Sequence, residues 1–188
     1  MNDLVPFSNT LTPQVDPGGR RVRWRPFSGQ PVDLLDVILL LMWVGAIGSS
    51  FALAFRPIPL LFEYPMVEDG YLALSIARNI GIGHGVTYDG HTPTNGFQPL
   101  WVFLCSPLFS IVDGDRELGV RLVTGLQGAI FVLSGAVWAW GVGCATRRWH
   151  PLRRRRLVLA TGAIYLCSYD IWLNCFTGME TGLLFRLY

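Results

Sequence analysis

The chain consists of long apolar runs separated by short charged segments. Residues 37–55 hold 19 consecutive uncharged positions, residues 122–146 hold 25, and residues 157–179 contain a single charge, Asp170. At 1.5 Å per residue, helices of this length cross a hydrocarbon core of about 30 Å. The pattern therefore predicts an all-α integral membrane protein with membrane spans at about 34–55, 120–146 and 157–179.

A fourth apolar run, residues 96–112, has 17 uncharged positions but contains Pro99 and Pro107. Proline inside a helix removes a backbone hydrogen bond, so this run is the weakest candidate span. If it crossed the membrane completely, the arginine-rich loop at 147–156 would lie outside, against the preference of short basic loops for the cytoplasm. We therefore expect an interfacial or re-entrant segment, with an additional short span as the alternative. This gives about 3–4 transmembrane helices.

Residues 56–95 are predicted to form an external loop, because their charged residues are mostly acidic and they follow the first predicted span. Between Gly70 and Ile80 the apolar positions recur at helical spacing, which predicts a short amphipathic juxtamembrane helix. Its apolar face is expected to carry Tyr71, Leu72, Ile76 and Ile80. Further along the loop, the dipeptide Asp89-Gly90 is typical of a tight turn.

Composition supports a membrane protein and excludes several other classes. Of the 188 residues, 51% are hydrophobic and 15% are charged, whereas soluble domains carry about 25% charged residues. This composition excludes a disordered or collagen-like chain. The four cysteines form no CxxC pair and lie in apolar runs, which is typical of small buried residues rather than of a zinc site or a disulfide framework.

All 15 basic residues are arginine, and most of them are clustered, with four between positions 20 and 25 and six between 147 and 156. Basic clusters beside apolar runs mark the cytoplasmic side of a bilayer. We therefore expect membrane lipids rather than nucleic acid as their partner. Residues 1–33 are predicted to be a disordered basic cytoplasmic tail, and residues 34–188 to form the membrane domain.

Glu68 and Asp69 are the most distinctive candidates for chemistry, because two adjacent carboxylates begin a predicted helix just outside a span. A structural interpretation makes Asp69 the N-cap of that helix and leaves Glu68 solvated. A functional interpretation makes the pair a general base, or ligands of a divalent metal ion, at the membrane surface. The residues alone leave both interpretations open.

The motifs around this pair resemble those of a known enzyme family. Glu68-Asp-Gly-Tyr is followed by A-R-N-x-x-x-G-x-G from Ala77, by T-P-T-N-G-F-Q-P-L-W from Thr92 and by Thr177-Gly-Met-Glu-Thr-Gly-Leu. In this order they resemble bacterial polyprenyl-phosphate-dependent glycosyltransferases of the GT-C fold, especially the arabinofuranosyltransferase-like and protein-mannosyltransferase-like members. The resemblance covers residues 35–188 and implies a partial GT-C fold.

The resemblance implies an inverting transfer of a sugar from a lipid-linked polyprenyl-phosphate donor to an acceptor hydroxyl. The reaction would take place at the outer face of the bacterial inner (plasma) membrane, in a multi-pass protein whose N-terminus is cytoplasmic. The general base would be Asp69, with Glu68 beside it. Many members carry Asp-Asp or Asp-Glu at this place, so which of the two is the base stays open. Glu180 would contact the acceptor or, together with Asp69, a divalent cation; the alternative is a carboxylate at a helix end in the membrane interface.

The remaining candidates for substrate binding lie further along the external loop. A phosphate leaving group needs a neutralising cation, and Arg78 and His84 are the candidates that the loop offers. The alternatives are a snorkelling helix residue for Arg78 and a turn or surface residue for His84. Asn95, in the last motif of the loop, completes the set.

Members of this family are much longer and have many more spans. The resemblance therefore implies an N-terminal portion, or fragment, whose donor site the missing C-terminal spans would complete. Small residues at Gly125, Gly128 and Gly162 are candidates for close contacts with those spans. The alternative function is that of a small non-catalytic membrane protein, a subunit or scaffold whose outer loop binds a partner.

Overall fold

The computed structural model describes residues 32–177, and 75% of this part of the chain is helical, with no strand. Residues 1–31 of the predicted basic tail and Glu180 lie outside the described residues, whereas Asp33, the last residue of that predicted tail, is the N-cap of the first helix. In chain order the helices are α1 (Leu34–Ala52, extended by a 3-10 turn over Leu53–Phe55), α2 (Ile58–Glu63), α3 (Glu68–Gly81), α4 (Pro99–Ile111), α5 (Arg116–Ala145), α6 (Pro151–Cys167) and α7 (Tyr169–Cys175). The all-α prediction is confirmed for these residues.

Two helices are long and apolar enough to cross a membrane, α1 with its 3-10 extension and α5. The pair α6–α7 makes a third only if it is counted as one bent span, because its two helices meet at 59°. The run predicted as a single span at 157–179 is therefore not one straight helix, and helix α6 already begins at Pro151. The break falls at Ser168, whose extended backbone separates the two helices and whose side chain forms no capping hydrogen bond, while Asp170 lies in the first turn of α7.

Helices α1 and α6 run in the same direction and are joined at their starts by ion pairs. The guanidinium of Arg155 contacts the Asp36 carboxylate, and that of Arg156 contacts Asp33. Two turns further along, the indole Nε1 of Trp43 donates a hydrogen bond to the Leu159 carbonyl oxygen at 3.0 Å. These contacts tie the arginine-rich segment to the beginning of α1.

Helix α5 runs in the opposite direction, because its beginning lies at the end of α1. Arg121 donates through Nη1 to the carbonyl oxygen of Ala54 at 2.9 Å and to that of Arg56 at 3.4 Å. The chain therefore leaves α1 and re-enters the bundle in α5 at the same end. The segment 57–115 between them begins and finishes at that end.

The weakest predicted span, residues 96–112, contains the single helix α4. Its 13 residues rise about 20 Å, short of the roughly 30 Å of a hydrocarbon core. Pro99 lies in its first turn, where proline is tolerated, and Pro107 lies inside it. A Cβ atom on Gly81 would lie 2.7 Å from the Ser106 carbonyl oxygen, so α3 and α4 approach each other closely at this glycine.

Helix α3 is amphipathic as predicted, but its buried face differs in one position. The buried residues are Gly70, Ala73, Leu74, Ile76, Ala77 and Asn79. Leu72, which was expected on the apolar face, is 40% exposed. Leu72 lies one turn before the buried Ile76 on the same side of the helix, so its exposure does not follow from the helical period.

Three glycines were candidates for contacts with further spans. Two of them, Gly128 and Gly162, already contact other helices of this chain. A Cβ atom on Gly162 would overlap the Trp43 ring, and one on Gly128 would lie 3.5 Å from the Ser50 carbonyl oxygen. Only Gly125 faces open space, with nothing within 4 Å. Close packing of α1 against α5 and α6 thus accounts for two of these glycines.

Candidate functional site

The acidic pair occupies the first two positions of α3. The N-cap is Val67, which has no side chain able to cap, so the interpretation of Asp69 as the N-cap is wrong. Both carboxylates are exposed, and neither forms a hydrogen bond or an ion pair with another residue between 32 and 177. Free backbone N–H groups at a helix start favour negative charge there. The carboxylates of Glu68 and Asp69 are therefore stabilised by the helix while remaining accessible from solution.

The start of α3 lies against the end of α7. The backbone N–H of Val67 donates to the Thr177 carbonyl oxygen at 3.1 Å. Val67 immediately precedes Glu68-Asp69, and Thr177 is the first residue of the second acidic motif. The residue before the first motif therefore contacts the first residue of the second, although the two are more than 100 positions apart in the chain. Glu180, the acidic residue of the second motif, lies outside the described part of the chain.

Aromatic side chains hold this junction together. The hydroxyl groups of Tyr64 and Tyr169 are hydrogen-bonded to each other, and the Trp172 ring packs against both tyrosine rings with centroids 6.3 Å apart. On the other side, Tyr71 donates to the Phe62 carbonyl oxygen at 2.6 Å. Partial burial raises the pKa of the Tyr71 hydroxyl, and the hydrogen bond with Tyr169 raises that of Tyr64.

Arg56 is a cation near this junction that sequence reasoning missed. Its Nη1 donates a hydrogen bond to the Tyr64 carbonyl oxygen at 3.1 Å, and Tyr64 precedes Glu68 by only four residues. A signal was present in the sequence, because an arginine directly after a predicted span is expected at the boundary between lipid and water.

Arg78 lies away from the acidic pair. It follows Asp69 by nine residues, which places it about 14 Å further along the helix axis. Its Nε donates to the Gly114 carbonyl oxygen at 2.5 Å, in the turn that leads into α5. Gly114 has φ of 74°, a conformation that suits glycine. Arg78 therefore clamps the end of α3 to the turn before α5, and the structure does not bring it to Asp69.

His84 and Asn95 belong to an ordered loop at the end of α3, and both are exposed. Asn79, which is 6% exposed, holds this loop through its side-chain amide, which donates to the carbonyl oxygens of Thr87 and Tyr88 at 3.0 Å each. Asn79 was also missed, although a polar residue on the apolar face of an amphipathic helix is a recognisable signal. The loop candidates are thus grouped at one end of α3 and the acidic pair at the other.

The predicted turn at Asp89-Gly90 is confirmed. One carboxylate oxygen of Asp89 accepts from the backbone N–H of His91 at 2.9 Å and of Thr92 at 2.7 Å. The bonds from Thr92 and then His91 lower the pKa of Asp89 to about 2. Gly90 has φ of 86°, which a turn of this kind requires of its glycine.

Within residues 32–177, no group of three or more His, Cys, Asp or Glu side chains is arranged to hold a metal ion. Glu68 and Asp69 supply two carboxylates. Proteins usually bind Mg²⁺ through one or two carboxylates, and a substrate phosphate provides further ligands. A divalent cation therefore fits the donor type of the acidic pair, with further ligands from a substrate or from water.

The comparisons with known proteins found no similar family: the chain matches no family model, no curated protein and no solved structure. Its function must therefore be inferred from its own residues and their geometry.

Proposed function

We propose that the chain is the N-terminal portion of a membrane glycosyltransferase, which transfers a sugar from a polyprenyl-phosphate donor to an acceptor hydroxyl on the outer face of the membrane. The observation that carries this proposal is the hydrogen bond between Val67 and Thr177. It joins the two motifs that resemble the acidic motifs of the GT-C enzymes. Motifs of one active site have to lie close together in the fold, and the contact between Val67 and the first residue of the second motif supports this.

The proposal includes three crossings of the bacterial inner membrane, with the N-terminus in the cytoplasm. Six arginines lie between 147 and 156, and two of them are paired with acidic residues at the start of α1. Between 56 and 121 there are four arginines against seven acidic residues. This asymmetry fits the positive-inside rule. Apolar side chains of α1 such as Leu41 and Val44, 63% and 66% exposed, suit contact with lipid.

The chemistry assigned to the acidic pair is general base catalysis. The acceptor hydroxyl loses its proton to the carboxylate of Asp69 or Glu68 as its oxygen bonds to the anomeric carbon, and the polyprenyl phosphate leaves with the electron pair of the broken bond. A positioned base contributes about 10²–10⁴-fold to such a step. The exposed position of both carboxylates at the outer end of the bundle suits an acceptor that arrives from outside.

The leaving phosphate requires a positive charge, and Arg56 is better placed for this role than Arg78. Arg56 follows the first span and contacts Tyr64 in the connection that leads to the acidic pair, at 3.1 Å. The phosphate of a lipid donor lies at the same boundary between lipid and water. Arg78 is instead assigned to holding α3 against α5.

A transfer assay with a lipid-linked sugar donor, on the complete reading frame in membranes, tests the proposal. Asp69→Asn is expected to lower the rate by about 10²–10⁴-fold, since an amide cannot take the proton. Val67 is the N-cap, so this change leaves the cap intact, and membrane insertion should persist. The matched control is Glu63→Gln, an exposed acid at the same end of the bundle. A rate close to wild type in Asp69→Asn and Glu68→Gln would reject the proposal.

One observation favours the non-catalytic alternative. The loop from His84 to Thr94 is ordered by Asn79 and presents Tyr88, which is 53% exposed, as a large aromatic side chain at the surface. An ordered exposed aromatic residue suits a protein contact. Under this alternative, Tyr88→Ala weakens the binding of the partner protein, whereas Asp69→Asn does not change that binding.

A further inference from the structure

The six arginines between 147 and 156 fall into two groups with different surroundings. Arg155 and Arg156 point towards α1 and pair with Asp36 and Asp33. Arg154 donates through Nε to the Gly143 carbonyl oxygen at 3.0 Å, near the end of α5. These three guanidinium groups hold helices together. The other group is Arg147, Arg148 and Arg153, which are exposed.

Arg148 and Arg153 carry charges that the protein does not use internally. Neither forms a hydrogen bond or an ion pair within residues 32–177, whereas Arg147 already contacts the Cys144 sulfur at 3.6 Å. The acidic residues at this end of the bundle, Asp33 and Asp36, are both occupied by other arginines. An excess of positive charge therefore faces the surroundings.

Exposed tryptophans accompany these charges. Trp149 lies between the two arginines in the sequence and is 55% exposed, and Trp140, two turns earlier on α5, is 66% exposed. Leu133 and Val137, 64% and 63% exposed, continue the apolar surface along the same helix. Tryptophan is enriched where a membrane protein passes from hydrocarbon to headgroups. The arginines thus lie just beyond a lipid-facing surface.

We propose that Arg148, Arg153 and Trp149 form a binding surface for the phosphate headgroups of anionic lipids, in the leaflet at which α1 begins. The phosphate would accept hydrogen bonds from the guanidinium groups, while the indole ring lies against the upper part of the acyl chains. A nucleic acid would also suit the charges, but it would leave the adjoining exposed Trp140 and Val137 without an apolar partner. The inference depends on the proposed membrane insertion and not on sugar transfer.

Native mass spectrometry of the full chain in detergent, titrated with phosphatidylglycerol or with phosphatidylcholine, measures this binding. Each arginine beside an anionic surface contributes about fivefold in affinity. The double variant Arg148→Gln/Arg153→Gln should therefore bind phosphatidylglycerol about 25-fold more weakly. Phosphatidylcholine binding should not change. Arg148→Lys/Arg153→Lys should retain most of the affinity, because the charge is kept.

The matched control is Arg116→Gln, an exposed arginine at the opposite end of the bundle, which should bind phosphatidylglycerol like the wild type. Three results would overturn the inference. They are equal affinity of the wild type for both lipids, an equal loss in Arg116→Gln, and displacement of the lipid by a single-stranded oligonucleotide at comparable concentration. The wild-type preference for phosphatidylglycerol with a loss confined to the double Gln variant would support it. None of these lipid-binding results depends on Asp69. A failure of the lipid-binding proposal can therefore be distinguished from a failure of the proposed sugar transfer.

Discussion

The two ends of the helix bundle use their acidic residues in opposite ways. At the beginning of α1, Asp36 is 1% exposed and contacts Arg155, more than 100 residues further along the chain. At the beginning of α3, Glu68 and Asp69 are exposed and contact no cation among residues 32–177. A buried and paired carboxylate holds helices together, whereas an exposed carboxylate at a helix start is available to a ligand. The same residue type is therefore structural at one end and a candidate for chemistry at the other.

The same substitution at both ends should have very different effects on stability. Asp36→Asn leaves the Arg155 guanidinium facing a neutral amide in a buried position, and we expect a loss of about 3–5 kcal/mol in the free energy of unfolding. Asp69→Asn should change it by less than about 1 kcal/mol, the usual scale of a charge at an exposed helix start. Thermal unfolding in detergent measures both.

Two further variants serve as controls for this comparison. Asp33→Asn affects a pair whose side chains are 39% and 38% exposed, so a loss of about 1 kcal/mol or less is expected. The double variant Asp36→Leu/Arg155→Leu should recover most of the stability, because two apolar side chains replace the buried pair. Equal losses in Asp36→Asn and Asp69→Asn would contradict the distinction between the two ends.

A second prediction concerns the packing that accompanies the ion pairs. Gly162→Ala places a methyl group where the Trp43 ring lies, and we expect a loss of about 1–3 kcal/mol from overpacking. Gly125→Ala adds the same group to open space on α5 and should be neutral or stabilising by up to about 1 kcal/mol, since alanine is the better helix former. The two melting temperatures, measured side by side, test this. A destabilising Gly125→Ala would indicate that another helix covers this position.

The smallest expected effect is in the turn at Asp89, in the loop that follows α3. The pKa of Asp89 is lowered from 3.8 to about 2, so its carboxylate stabilises the turn above pH 3.8. This stabilisation is lost as the pH falls through about 2. The protection factors of the His91 and Thr92 amides, obtained after correction for the intrinsic pH dependence of exchange, should follow this titration. In Asp89→Asn these protection factors should not change with pH in this range. Loss of protection already at pH 4 would contradict the assignment.

The sequence was sufficient to predict the elements that depend on local patterns. The uncharged runs located α1 and α5, and the spacing of apolar residues located α3. What it could not predict depends on distant contacts. The pairing of Asp36 with Arg155 joins residues 119 positions apart, and the span that was expected to begin after the arginines begins at Pro151, among them.

The same difference between local patterns and distant contacts explains why only part of the candidate site was recognisable in the sequence. Glu68-Asp69 were recognisable because they are adjacent and because they follow a span. The role of Arg78 was not predictable, because its hydrogen bond to Gly114 depends on how α3 packs against the turn before α5. The structural interpretation placed the N-cap at Asp69 on residue preference, whereas the cap is Val67, two residues earlier, and the helix begins at Glu68.

The separation of Asp36 and Arg155 in the chain also has a consequence for biosynthesis. A ribosome adds about 5–20 residues per second, so 119 residues correspond to a delay of several seconds. In the proposed topology, α1 enters the membrane during that time with Asp36 near its cytoplasmic end and without the arginine that will face it. The carboxylate must stay in contact with water until α6 emerges. Closure of the bundle at this end is therefore a late event in assembly, and the arginine-rich segment is the part of the chain that completes it.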